Sequence, residues 1–464
     1  MKPVDWEQEL NKYQNIMASG TKSMKIKAMV MLARFSKHAP EHVLSCTIPI
    51  LTEILGDAIS NDSAPSFQEA AAYCLKCIAC RGNGQLAIEI AEHGAAHSLM
   101  RLLPHSDGRM KKVLMKFLLV IVSFCEESRI VVATNGGVEI IISLLNSCTD
   151  DTRWYLLEIL SVLALRRDVR KALVRFEALN FVVEAAGVGS IVSRERACQA
   201  IGLLGVTRQA RRMLVELGAI EALVELFHNG DYTTKLLVGN SLGVISAHVD
   251  YIRPVARAGA IPLYAELLQG HDPSGKEIAE DVFCILAVAE TNAVEIAGHL
   301  VRILREGDDE AKASAVDVMW DLSGYKHSTS VVRNSGAIPI LVELLRNGTE
   351  EVKVNASRVF AQLSYDGEDR MAFAGAGAIP ILIDLMNDVD DVDEVEELGH
   401  NAAEALVNFY EDPLYHDRVS DAINVPLFRN MQNRLILIRS SNEHMARSLR
   451  RMSVEQLTRN LDLV

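Results

Sequence analysis

The sequence predicts an all-α solenoid of three-helix repeats, and three observations predict it. One ten-residue pattern recurs with a period near 41 residues, nearly half of the 464 residues are apolar, and aromatics make up only 5%. A period of that size belongs to helical repeats. A core of Leu, Ile, Val and Ala with few rings is what stacked helices bury. Repeat arrays escape the size limit that divides globular chains into domains of roughly 150 residues, so one elongated array is expected in place of three domains. We place that array at 21–440, of about nine to ten repeats, with a capping helix over 1–20 and a basic helix or tail over 441–464.

The pattern opens with Gly or a substitute, then a small residue, then apolar residues at helical spacing. Strong copies are GAIEALVELF from Gly218, GAIPLYAELL from Gly259, GAIPILVELL from Gly336 and GAIPILIDLM from Gly377. Weaker copies start at Cys46, Gly94, Gly137, Glu177 and Glu295, so successive starts lie 48, 43, 40, 41, 41, 36, 41 and 41 residues apart. Within each period a short amphipathic helix, such as the one around Val331, precedes the Gly, which suits a helix end where φ turns positive. In three copies the Pro of the Gly-Ala-Ile-Pro signature then falls in the first turn of a second helix, where a missing N–H costs nothing. A polar corner such as Arg346 to Glu351 follows. The third helix is longer; Val352 to Tyr365 carries Ala356, Phe360 and Leu363 on one apolar stripe.

These residues resemble the armadillo repeat family, in which Gly-Ala-Ile-Pro-x-Leu-Val-x-Leu-Leu opens the second helix and a long third helix follows. The likeness covers about residues 21 to 440. It implies a right-handed superhelical solenoid whose third helices line a concave groove that holds peptides or partner domains. Nuclear-import adaptors of this family carry a Trp and an Asn four residues apart on most third helices, gripping a basic peptide. Here Gly202, Gly243, Cys284, Trp320, Ala361 and Glu404 stand at the Trp place, and Val206, Ala247, Val288, Gly324, Tyr365 and Asn408 at the Asn place. Only Trp320 and Asn408 fit, so the chain does not look like a classical import adaptor. In showing no appended domain it looks like the armadillo-only proteins common in plants. The family's inward-facing places make Gln199, Asn240, Asp281, Asp317, Trp320, Arg358, Tyr365 and Asn408 the candidate partner-binding residues, with Trp320 and Tyr365 as natural hot spots.

Several segments imitate chemistry. Cys77 to His97 reads C-x2-C-x12-H-x3-H, the spacing of a small zinc finger, with Cys74 just upstream. A finger also needs a β-hairpin and an aromatic residue where this chain has Gly84. The three thiols instead fall on a third helix, so buried thiols and surface histidines without metal are expected. Gly270 to Glu277 (GHDPSGKE) is one residue from a phosphate-binding loop, yet it follows a helix where a strand is required, and Glu277 replaces the Mg²⁺-binding hydroxyl. It reads as an interhelical corner. GVGS at Gly187 is too short for dinucleotide binding, and no metalloprotease motif or nucleophile elbow exists. No catalytic residues, cofactor or metal ligands are assigned, and the chain is not read as an enzyme.

Charge completes the picture. Seven acids lie between Asp388 and Glu397, reading as a solvated corner or a dock for a basic partner or for the chain's own tail (Arg429, Arg434, Arg439, Arg447, Arg450 and Arg451). Arg450-Arg451-Met452-Ser453 suits a basophilic kinase. A basic cluster (Arg166, Arg167, Arg170, Lys171, Arg175, Arg208, Arg211 and Arg212) falls on the first helices of adjacent repeats, as solvated charge with i,i+4 pairs or as a patch for an acidic partner. The net charge of −14 argues against nucleic acid as the main ligand. Apolar runs such as Phe117 to Cys125 fall far short of the roughly 18 residues a membrane span needs. Eight unevenly spaced cysteines and a polar start place the chain in the cytosol or nucleus. The leading function is a scaffold or adaptor binding proteins or peptides along the groove, without a small-molecule substrate. Alternatives are a transport receptor for basic peptides and the substrate-recruiting subunit of a ubiquitin ligase.

Overall fold

The computed structural model describes residues 5–57, 65–148, 152–325, 328–387 and 393–441. Among these the chain is all α-helical, with two short 3-10 segments and no β-strand. It divides into two compact units, Met1–Ala222 and Leu223–Val464, and each is a solenoid of stacked repeats.

In the first unit the third helices are Lys22–Phe35, Pro65–Ala79, Gly108–Phe124, Arg153–Ala164 and Ile191–Gly205, each packed on the next. The helix Trp6–Ser19 precedes them, its first turn capped by the Asp5 side chain accepting from the Gln8 N–H. In the second unit they are Tyr232–Ser246, Pro273–Leu286, Asp309–Ser323, Glu350–Leu363 and Asp393–Tyr410, again rung on rung. Pro426–Ser441 packs on the last of these and buries Phe428 and Met431. The expected stripe of Ala356, Phe360 and Leu363 is wholly buried. Between successive repeats, Tyr264 on Ala260–Leu268 is buried edge-on to Phe227, ring centroids 5.0 Å apart, and donates its hydroxyl to Gly239 O on the preceding third helix at 2.7 Å. The missing side chain at Gly239 allows this close approach, since a Cβ there would stand 3.3 Å from Leu267 and 3.4 Å from Phe227.

The repeat glycines behave as their spacing predicts. Gly94, Gly259, Gly336 and Gly377 have φ between 78° and 91°, the left-handed conformation that lets one helix stop and the next leave at an angle. Glu177 takes the same conformation, φ 54°, without being glycine.

Three starts differ from expectation. The left-handed residue of the third copy is Gly136, φ 73°; Gly137 is already helical, its missing side chain leaving room for Val132 O and Met100 Sδ. Cys46 has φ −59° and makes no such turn. Glu295 lies inside one continuous helix, Glu290–Glu306, where the first and second helices have fused. The interval of 36 residues there lacks the stretch that would form the turn, so that repeat has two helices instead of three. Of the acidic run, residues 388–392 lie outside the described residues, and the helix has begun by Asp393, so the corner is shorter than expected. Residues 442–464, with Arg447, Arg450 and Arg451, lie outside the described residues too.

Candidate functional site

Packing one third helix on the next leaves a row of side chains on the uncovered side of each unit. In the 223–464 unit this row holds seven of the eight candidate residues; Gln199 is exposed on Ile191–Gly205 of the other unit. Asn240 and Asp281 are exposed on Tyr232–Ser246 and Pro273–Leu286.

The centre of the row is built by Arg358. Its Nε and Nη2 reach the two oxygens of Glu397 at 2.7 and 3.0 Å, and its Nη1 donates to Asn355 Oδ1 at 3.0 Å. The guanidinium lies 5.6 Å from the Trp320 ring centroid and 3.9 Å from Asp317 Oδ1. Three candidate residues, Asp317, Trp320 and Arg358, thus join Glu397 across consecutive third helices in a clasp in which a planar cation lies near an indole face and forks onto a carboxylate. Trp320 remains 37% exposed and Tyr365 45%, which leaves ring surface open to a partner. Tyr365 donates its hydroxyl to Glu404 Oε1 at 2.7 Å. Asn408, by contrast, is 5% exposed and donates to Ser364 Oγ at 2.7 Å, so its amide ties two helices together. Tyr365, Asn408, Arg370, Glu411, Asp412 and Pro413 line an open cavity of about 420 Å³.

The row is more acidic than the sequence suggested. Glu280, Asp321, Glu397 and Glu404 join Asp281 and Asp317, and Cys284 donates its thiol to Asp321 Oδ2 at 2.8 Å. Burial and the neighbouring Asp321 push the Asp317 carboxyl above its ordinary range. Burial chiefly, with Asp317 and Asp281 beside it, does the same to Glu280. Glu397 goes the other way, held low by its hydrogen bond to Arg358. The pairs Cys284–Asp321, Arg358–Glu397 and Tyr365–Glu404 are not legible locally, because each spans 37 to 39 residues and joins different repeats.

The motifs that imitate chemistry are absorbed by the fold. Cys74 and Cys77 sit on Pro65–Ala79 and Cys80 just beyond it, with no hairpin between them and the histidines. Cys74 is buried, which raises its thiol pKa well above the ordinary value and keeps it protonated. His93 contacts Glu89 O at 2.9 Å through Nδ1. Among the described residues no group of three or more His, Cys, Asp or Glu is placed to hold a metal ion. In the GHDPSGKE corner Asp272 caps the helix Pro273–Leu286 by accepting from the Ser274 N–H, and Lys276 pairs with Glu310 at 2.9 Å. Among the described residues no single helix is long and apolar enough to cross a membrane.

The basic cluster separates into two kinds of arginine. Arg170 donates to Ala164 O and Leu165 O at 3.1 and 2.6 Å, and Arg211 to Gly205 O at 2.6 Å. Arg129 does the same to Val122 O and Ser123 O at 2.6 and 2.9 Å, and Arg370 to Ser364 O at 2.7 Å. Each reaches back from a first helix to close the carbonyl end of the preceding third helix, where a cation also meets the negative end of the helix dipole. Residues 129, 170 and 211 are 41 apart, so the period itself carries this signal. In the fused repeat Asn292, 5% exposed, replaces the arginine and donates to Leu286 O at 3.0 Å. Arg167, Lys171, Arg175, Arg208 and Arg212 stay exposed.

The model of the armadillo/beta-catenin-like repeat matches residues 326–365. That stretch is about one period and contains the Gly336 start and Tyr365. No curated protein matches the sequence. Among solved structures, an engineered protein from a structural genomics consortium is similar over 86% of this chain and 98% of its own, at 21% identity and a TM-score of 0.60. A chain solved in work on the phosphorylation switch that controls the interaction between cadherin and beta-catenin is similar over 92% of this chain and 86% of its own, at 15% identity and a TM-score of 0.63. At these identities the likeness establishes the fold, an all-α repeat solenoid.

Proposed function

We propose that this chain is a protein-binding scaffold, and that the third-helix row of the 223–464 unit is where a segment of a partner protein lies. The observation that carries the reading is the clasp of Trp320, Arg358 and Glu397, with Tyr365 just past the end of the helix that carries Arg358. Two large aromatic faces stand partly open there, Trp320 beside the Arg358 guanidinium and Tyr365 hydrogen-bonded to Glu404. Aromatic side chains held this way supply contact area at low ordering cost. The carboxylates around them favour a segment that brings arginine or lysine side chains. Such a guest cation would meet Asp281, Glu280 and Asp321 much as Arg358 meets Glu397. The likeness to a structure solved for the interaction between cadherin and beta-catenin agrees with a protein-binding role.

Two finer readings belong to the same proposal. The acidity of the row favours a carrier or adaptor for basic peptides over a surface for acidic ones, in a form without the Trp-Asn ladder of import adaptors. The chain works as a binding component without catalysis of its own, in the cytosol or nucleus. A photoreactive amino acid placed at position 365, or at 320, tests the surface directly. Cross-links to a partner polypeptide from these positions, and their loss in R358E, support it. Equal yields from a probe on the first-helix side, for instance at position 371, overturn it.

A further inference from the structure

We propose a second docking surface, on the first helices Arg167–Arg175 and Arg208–Glu216 of the 1–222 unit, that takes an acidic segment of a partner protein. It is separate from the third-helix row and does not depend on that reading. In each helix the apolar side is fixed inward, by Val169 and Leu173 in one and Ala210 and Leu214 in the other, all buried. Arg167, Lys171 and Arg175 follow at i, i+4 and i+8, so they stand on one face. Arg208 and Arg212 repeat the first two places 41 residues on.

The two helices are held in step. Arg170 is tied to the end of Arg153–Ala164 and Arg211 to the end of Ile191–Gly205, and those third helices pack side by side. Equivalent cations therefore lie on successive rungs. The segments 166–177 and 207–217 carry eight cations against three acids, Asp168, Glu177 and Glu216, in a chain whose net charge is −14. The cap arginines are engaged, Arg175 lies near Glu139 at 3.7 Å, and Arg212 pairs with Glu216 at 2.8 Å. Arg167, Lys171 and Arg208 make no ion pair among the described residues, so the patch keeps a net positive field. At the end of each helix stands an exposed apolar residue, Phe176 (38%) and Leu217 (41%), again one period apart. The Arg175 guanidinium lies 4.5 Å from the Phe176 ring centroid.

The extent of the patch selects the partner class. On the preceding first helix, Glu126–Thr134, the place of Arg167 is held by Glu126 and that of Lys171 by Ile130, with Glu127 beside Glu126, all three exposed. A nucleic-acid duplex or an anionic bilayer is an extended sheet of charge and would meet those acids. A short acidic peptide with an apolar residue covers two rungs and stops, setting its carboxylates on Arg167, Lys171 and Arg208 and its apolar side chain between Phe176 and Leu217.

The test uses the full chain and a fluorescent peptide of about twelve residues in which glutamates flank a central phenylalanine. Saturable binding is expected, weakening as salt rises from about 0.05 to about 0.5 M. The variant R167E/K171E/R208E is expected to weaken it about tenfold or more, with helicity and urea midpoint unchanged; W320A/Y365A leaves it unaltered. Should the reversal disturb folding, R167Q/K171Q/R208Q gives the same comparison with a smaller loss. Absence of saturable binding, indifference to both triple variants, or tighter binding of a short DNA duplex or of phosphatidylserine vesicles overturns the proposal. Loss of binding in W320A/Y365A alone moves the acidic peptide to the other surface and overturns it too.

Discussion

Arg211 and Arg212 are neighbours of identical chemistry, and the structure gives them opposite weights. Arg211 is half-buried and donates from Nε to Gly205 O at 2.6 Å, closing the last turn of Ile191–Gly205. Arg212 is exposed and pairs with the exposed Glu216 at 2.8 Å. A hydrogen bond from a charged donor contributes about 1.5–3 kcal/mol, and a cation at a helix C-terminus about 0.3–1 kcal/mol. Access of water to the guanidinium offsets part of this, so R211A is expected to cost about 1.5–2 kcal/mol. An exposed i,i+4 pair contributes about 0.3–0.5 kcal/mol, which sets the expected cost of R212A. Urea denaturation reads the difference as a lower midpoint for R211A at an unchanged slope. Hydrogen exchange adds the location: amides in the last turn of Ile191–Gly205 exchange faster in R211A and not in R212A. R211M keeps the aliphatic stem and is expected to lose nearly as much as R211A. Equal effects of R211A and R212A, or slow exchange retained at that helix end, refute the capping argument and with it the division of the basic cluster into structural and surface cations.

Glu177 pays the left-handed conformation without a glycine, so E177G is expected to raise stability by about 0.5–1 kcal/mol, measured by the same denaturation. R333A removes the cation 2.7 Å from the fully buried Asp369 and is expected to cost about 2–4 kcal/mol, below the upper range for a broken buried pair because Arg333 itself is partly exposed; a loss under about 0.5 kcal/mol would contradict the role given to the pair. Binding of a lysine- and arginine-rich peptide to the third-helix row is expected to weaken as pH falls from about 7 to about 4. Glu280 and Asp317 have raised pKa values and lose their charge first, whereas Glu397, held low by Arg358, keeps its charge longer. The Arg358 clasp should therefore persist at pH values where affinity has already dropped, as the fluorescence of W6F/W154F, which keeps Trp320 as its single tryptophan, can show. A flat pH profile, or loss of the clasp first, would contradict this ordering.

The helical repeat was legible because its signals are local. A glycine that must turn, a proline that can stand only in a first turn, and an apolar stripe at helical spacing all act within one helix or one corner. Gly136 and Gly137 show where that ends: composition alone does not tell which of two glycines takes the positive φ, and packing against Met100 and Val132 decides it. The fused helix Glu290–Glu306 was announced by the short interval before Glu295, whose consequence is that no residues remain to form the turn. The site was legible only as places. The sequence marked Asp317, Trp320, Arg358 and Tyr365 as facing one way, but their assembly depends on pairings across successive repeats, such as Arg358 with Glu397. Asn408 was marked by position as a contact residue, and its burial against Ser364 follows from a neighbour 44 residues away.

The central claim, that the third-helix row of the 223–464 unit holds a partner polypeptide, is tested most directly by quantitative affinity capture with wild type, W320A/Y365A and M371A, each confirmed as folded. At least one protein is expected to be captured by wild type and M371A alike and depleted about tenfold or more with W320A/Y365A. The same proteins captured in equal amounts by all three would contradict it.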